Sequence, residues 1–151
     1  MTLAIAISLA LILLTALIHH EGLRLASNAW RASSAPLGRT RVLIVILWIF
    51  LIHIIEICVY GVGLWFADVV VDIGTFAGAR EVGSFDYFYF SAEAFSTLGL
   101  GDIYPIGPLR LVASIEPITG LLLIGWSVSF TFIIMQRFWF LDEGINGAPR
   151  S

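Results

Sequence analysis

The chain has 151 residues and a net charge of −3; 59% of them are hydrophobic against only 13% charged, for a mean hydropathy of +0.96. A water-soluble domain carries about a quarter charged residues, so this composition excludes one. The apolar residues gather into three runs long enough to cross a bilayer. That makes the chain a small polytopic membrane protein and leaves no room for a soluble enzymatic domain of roughly 100 residues. The single cysteine, Cys58, lies inside one of the runs, so one chain holds neither a disulfide nor a cysteine metal cluster.

The first run is Leu3 to Ile18, followed by His19, His20 and Glu21. It is short of the roughly 20 residues a span needs, but the helix can continue past His20. No basic residue precedes it and no small-x-small pattern follows, which favours a retained helix over a cleaved signal peptide. Adjacent histidines point about 100° apart on a helix, so His19 and His20 read as interfacial polar residues, with Zn²⁺ binding or pH sensing as alternatives. Arg24, Arg31, Arg39 and Arg41 then face a lone acid, Glu21. The second run, Val42 to Phe66, makes about 37 Å of helix and is interrupted only by His53 and Glu56. Beyond it, Asp68, Asp72, Glu81 and Asp86 stand against Arg80. The third run, Leu109 to about Phe138, has Glu116 and Pro117 near its start.

Lys and Arg mark the cytoplasmic side in short loops. Residues 19–41 are therefore expected in the cytoplasm and 67–108 outside, with the N-terminus external and the C-terminus internal. Trp65 and Trp139 suit interfacial anchors, whereas Trp48 and Trp126 fit less well. The expected organisation is an N-terminal helix with an Arg-rich cytoplasmic loop (1–41), a central unit (42–138) and a short cytoplasmic tail (139–151). No span carries regularly spaced arginines, so no voltage sensor is visible. The tail has no room for a ligand-sensing domain.

Between the second and third runs, Ser84 suits an N-cap and Phe85 to about Ser96 a helix of some three turns. Such a helix is too short to span, so it is interfacial or re-entrant. Thr97-Leu98-Gly99-Leu100-Gly101-Asp102 follows immediately. Non-helical backbone at membrane depth is tolerated only when buried in protein or lining water. Glycines admit positive φ, so successive carbonyls can face one axis, where a ring of them replaces the hydration shell of a monovalent cation. The negative end of the short helix would aim at the same place.

This segment resembles the filter of the pore-loop potassium channels, T-V-G-Y-G, with Leu98 for Val and Leu100 for the usual aromatic; the second pore loop of some animal two-pore-domain channels has a similar leucine. Glu93 and Asp102 match the pair that shares a proton behind the filter, and Ile103-Tyr104-Pro105 resembles the L-Y-P that follows. Gly120 lies where the hinge glycine of the family's inner helix sits, and Leu-Leu-Leu-Ile-Gly-Trp-Ser after it is similar to small prokaryotic ion-channel proteins with one pore loop per chain, as is His53-x-x-Glu56. The resemblance covers roughly residues 42–138. It implies an all-α membrane protein with three spans, a re-entrant pore helix (85–96) and a filter loop (97–102) between outer (42–66) and inner (109–138) helices, in a prokaryotic cell membrane. One pore loop supplies a quarter of a filter, so it implies a homotetramer among membrane lipids, passing K⁺ over the backbone carbonyls of Thr97, Leu98, Gly99, Leu100 and Gly101. Neither a cofactor nor a nucleic-acid partner is implied.

Leu100 keeps only part of the packing of an aromatic and loses its hydroxyl, so a softer filter that admits some Na⁺ is expected. Pro117 and Gly120 should bend the inner helix as a gating hinge. By the same resemblance Leu121, Ile124, Val128 and Phe132 match cavity-facing positions, apolar enough to gate by dewetting, with Phe132 the suspected constriction. His53, Glu56 and Tyr60 recur at i, i+3 and i+7 on one helix face. By depth, Glu116 can reach Tyr60, reach towards Glu56, or brace the pore helix. Together they read first as a structural network, with a proton sensor and a metal site as alternatives. Two rival readings of the whole are a weakly selective cation channel and a non-conducting pore-loop subunit. An enzyme ranks below both, because no His, Glu or Asp cluster has hydrolase spacing.

Overall fold

The computed structural model describes residues 1–32, 39–78 and 82–146, with the backbone alone for 30, 32, 39 and 137–146. Arg80 and Glu81, and the side chains of Arg39 and Trp139, lie outside the described residues. In chain order the elements are α1 (Thr2–Ala32), α2 (Arg39–Trp65) running on into a π-helical turn (Phe66–Val70), β1 (Phe76–Gly78), α3 (Asp86–Phe95), β2 (Ile103–Pro105) and α4 (Leu109–Asn146). Three helical stretches are long and apolar enough to cross a membrane: Thr2–Ala29, Thr40–Val70 and Leu109–Gln136. The expected three-span fold with a short helix between the second and third spans is therefore present.

Two boundaries differ from the sequence reading. Most of the segment expected as a cytoplasmic loop is helix, because α1 runs unbroken to Ala32 through His19 and His20. Its polar stretch is rich in good helix formers, and Glu21 pairs with Arg24 one turn on at 3.1 Å. The α3 N-terminus also differs. Phe85, not Ser84, holds the cap position without a side-chain bond. Asp86, inside the first turn, instead reaches back to accept from the Gly83 N–H at 2.7 Å, placing a carboxylate at the positive end of the helix.

In lipid, helices gain little from apolar burial and associate by close van der Waals packing, which small residues permit. Four glycines do this here. Gly22 of α1 receives Ile52 of α2, and Gly63 of α2 receives Leu11 of α1, where an added Cβ would stand 2.7 Å from Leu11 Cδ2. Gly61 of α2 faces Phe88 of α3, and Gly120 of α4 abuts the Phe95 carbonyl at the end of α3. The short helix is thereby wedged between the two long ones. Around it Tyr60, Leu64, Ala67, Phe76, Tyr87, Leu109 and Val112 form the main core. A second cluster, Leu23, Val45, Ile49 and Ile134, joins α1, α2 and α4 farther along.

The strands β1 and β2 pair antiparallel, Phe76 opposite Pro105 and Gly78 opposite Ile103. Gly78 packs against the Asp102 carbonyl, and the Ile106 N–H donates to Thr75 O at 2.7 Å. The backbone leaving the 97–102 loop is thus tied to the segment that leaves α2.

Candidate functional site

The loop is shaped by how α3 ends. Thr97 N–H donates to Ala94 O at 3.0 Å and Leu98 N–H to Glu93 O at 2.8 Å, the two bonds of a Schellman cap. The C′ position of that motif needs a left-handed residue and usually takes glycine. Here it is Thr97, at φ 60°, a β-branched residue held at a cost of roughly 1–2 kcal/mol. Capping the end of α3 and starting the loop are therefore one geometry at Thr97.

Gly99 (φ 57°) and Gly101 (φ 77°) continue the pattern, while Leu98 and Leu100 stay at negative φ. A backbone alternating in the sign of φ turns successive peptide groups the same way. Ser96 through Asp102 are all exposed in the single chain, and a Cβ on Gly99 or Gly101 would meet nothing within 4 Å. The loop is held on one side and open on the other.

What holds it is Glu93, buried on α3, whose Oε2 accepts from the Leu100 N–H at 3.2 Å. Its Oε1 is buried and within hydrogen-bonding geometry of no partner among the described residues. Asp102 is exposed, and its Oδ1 accepts from its neighbour's Ile103 N–H at 3.1 Å. Among the described residues the two carboxylates make no direct hydrogen bond. Tyr89, one turn before Glu93, stands near both. Its phenol is pushed up to about 12, first by hydrogen bonding towards Glu93, with the charges of Asp102 and Glu93 adding. Farther out, the Tyr87 hydroxyl donates to Asp68 Oδ2 at 2.8 Å. Burial first, then that bond and charge, raise the Tyr87 pKa.

On α4, Pro117 lies inside a helix that continues from Leu109 to Asn146. Gly120 serves close approach, because any side chain there would strike the Phe95 carbonyl. Leu121, Val128 and Phe132 are exposed in the single chain and Ile124 is half-buried. These four positions leave an apolar face of α4 uncovered.

The polar residues of the spans separate into two networks. Tyr60, fully buried, donates to Thr119 Oγ1 at 3.0 Å, and Thr119 donates to Ile115 O at 3.1 Å. Beside it, Ser91 of α3 contacts Ile57 O of α2 at 2.8 Å and makes a short hydrogen bond with Glu116 Oε1 of α4. Of the three positions expected for Glu116, bracing the pore helix is the one observed.

Glu56 and His53 point elsewhere. Glu56 Oε1 lies 2.9 Å from His19 Nδ1 and Oε2 lies 2.8 Å from His53 Nδ1. His19 is thus fully buried in a cluster, not interfacial, whereas His20 is exposed. The sequence carried a signal for this. Ala4, Ser8, Leu11, Thr15, His19, Leu23 and Ala26 recur every three or four residues, and all are buried; small and polar side chains at that spacing mark the face a span turns to protein. Ser91, Thr119, Ser127 and Tyr89 had no comparable signal, since each gains meaning only from a residue far along the chain or a backbone bend.

A protein-family model described as an ion channel matches residues 42–137. Comparison with curated proteins and with solved structures finds no match.

Proposed function

The chain belongs to the ion channel family through residues 42–137, and we propose that it is a potassium channel in which four copies conduct K⁺ passively through a shared filter, Thr97-Leu98-Gly99-Leu100-Gly101. The observation that carries this reading is the backbone of that segment: φ is positive at Thr97, Gly99 and Gly101, and the outward side of the loop is open in one chain. Four such loops around an axis would offer stacked rings of carbonyl oxygens, plus the Thr97 hydroxyl at the inner end, in place of the water a potassium ion sheds. The C-terminal end of α3, at Ser96, would direct its partial negative charge to the ion below the filter. Glu93 would act from behind, bonding the Leu100 N–H and so orienting that peptide's carbonyl. Leu121, Ile124, Val128 and Phe132 would line an apolar cavity beneath.

The chain is a multi-pass membrane protein. Its proposed orientation puts Arg24, Arg31 and Arg41 on the cytoplasmic side and Asp68 and Asp72 outside, with the filter mouth external.

Leu100 favours a second, narrower reading of the same pore. Its side chain is 61% exposed in the single chain and has no hydroxyl to bond behind the filter, so the ring it helps form is less fixed in diameter and Na⁺ can pass. The deciding experiment is the reversal potential of the purified protein in a planar bilayer, with K⁺ on one side and Na⁺ on the other. A large shift towards the potassium potential, abolished by Gly99→Asp, supports a selective channel. Current that reverses near zero in wild type and shifts towards potassium in Leu100→Tyr assigns a weakly selective cation pore. No current at any voltage or pH, with the tetramer intact, would sink both readings in favour of a non-conducting subunit.

A further inference from the structure

The Glu56 carboxylate uses both oxygens on imidazoles, and the far nitrogens of those two rings meet at one hydroxyl. Ser127 Oγ lies 3.1 Å from His53 Nε2 and 3.4 Å from His19 Nε2. Carboxylate, imidazole, hydroxyl and imidazole therefore close a ring, drawn from α1 (His19), α2 (His53 and Glu56) and α4 (Ser127). His19 and Glu56 are fully buried, Ser127 is buried and the His53 side chain is 16% exposed. The ring also packs between aromatics: the Trp126 centroid is 5.3 Å from His19, and Phe95, the last residue of α3, is 5.6 Å from His53.

Hydrogen counting shows what this ring lacks. With both rings neutral and both Nδ1 atoms donating to Glu56, Ser127 has one hydrogen for two bare Nε2 acceptors. One contact then sets lone pair against lone pair. A proton on one imidazole would supply the missing hydrogen; a divalent ion held by the two Nδ1 atoms and the carboxylate removes the mismatch as well. Each ring then keeps its hydrogen on Nε2, and the Ser127 oxygen, with two lone pairs, accepts both. That is how the outer nitrogen of a metal-bound histidine is ordinarily fixed.

We propose that His19, His53 and Glu56 form a site for one divalent ion of the zinc class, with Ser127 orienting both histidines behind it. The ligand atoms already lie within 4.8 Å of one another. A tetrahedral ion with bonds of about 2.0–2.2 Å wants them about 3.3–3.5 Å apart, so small side-chain rotations suffice. Two imidazoles and one carboxylate select Zn²⁺, Co²⁺ or Ni²⁺ over Mg²⁺ or Ca²⁺. The ion has a route in, because His53 and Ser127 help line a cavity of about 430 Å³ whose other walls include Ile124, Val128 and Phe132. Bound there, the ion pins α1 to α2 beneath the end of the pore helix. The site does not depend on which cation the chain conducts.

The test is a titration of the full chain in lipid nanodiscs, stripped with a chelator, using Co²⁺ alone as the probe. The expected result is the visible absorption of tetrahedral cobalt saturating at one ion per chain, displaced by Zn²⁺ and not by Mg²⁺. His53→Ala and Glu56→Gln should abolish it. Ser127→Ala should weaken binding about 10- to 100-fold, and His20→Ala, at the exposed neighbour, should leave it unchanged. Tetramer elution on size exclusion reports folding of each variant, and where a ligand variant does not fold, wild type and Ser127→Ala decide. Absence of stoichiometric Co²⁺ uptake by wild type, a band that persists in folded His53→Ala, or one lost in His20→Ala would overturn the site.

Discussion

Ser91 shows how much one hydroxyl can carry. It has one hydrogen, lies within bonding distance of the Ile57 carbonyl and of Glu116, and is the sole hydrogen-bond partner of that buried carboxyl among the described residues, since Glu116 Oε2 has none. Removing one member of a buried polar pair costs more than removing both, because the survivor is left without water or partner. Ser91→Ala is therefore expected to destabilise the protein by about 1–3 kcal/mol, and Ser91→Ala with Glu116→Leu should recover most of that loss. Thermal unfolding of the purified protein in detergent checks both. A double variant no more stable than the single one would mean the serine acts by size alone. The sequence announced Glu116 as important, since an ionisable group within a span announces itself. It could not choose among Tyr60, Glu56 and the pore helix as the partner, because that depends on how far α3 sinks between α2 and α4.

At the scale of elements, the short helix is legible and its setting is not. Its aromatic run, its length and the glycines after it all stand in the sequence, and α3 lies within a residue or so of where they put it. The Schellman cap is only faintly marked in the sequence, because it uses threonine where glycine is the usual sign. Gly120 reads in sequence as a flexible point in the inner helix; in the fold it is a notch for the Phe95 carbonyl. Gly120→Ala should then cost about 1–3 kcal/mol by overpacking and displace the end of α3 at the base of the proposed filter. Gly125→Ala, where a Cβ meets nothing within 4 Å, should be neutral or stabilise through helix propensity. Comparing the two thermal midpoints separates a packing role from a hinge role, because a pure hinge would give a more stable, less conductive Gly120→Ala.

For the whole molecule, the question is what α1 adds to a two-span pore unit. The family match begins at residue 42, yet α1 covers Glu56, which is fully buried in its presence. A chain lacking residues 1–38 would expose that carboxylate and His53 to lipid. It is expected to lose the proposed tetramer in mild detergent, and Glu56→Gln in the same truncated chain should restore part of it, as read by size exclusion. If truncation leaves assembly unchanged without the second substitution, α1 is an accessory to the fold. In the sequence, the face of α1 carrying Ser8, Thr15 and His19 marks a side turned to protein, but not its partner, because α1 and the matched unit meet through residues far apart in the chain.

That separation has a consequence in time. His19 and Ser127 are 108 positions apart, and a ribosome adds about 5–20 residues each second. For roughly 5–20 seconds after His19 is made, its side chain must wait inside the membrane, first alone and then with Glu56, before Ser127 arrives. The ring is thus among the last contacts the newborn chain can complete. A chain stalled or truncated before α4 would carry the unfinished set of polar groups within the bilayer, a mark by which a membrane quality-control protease could tell it from a finished one.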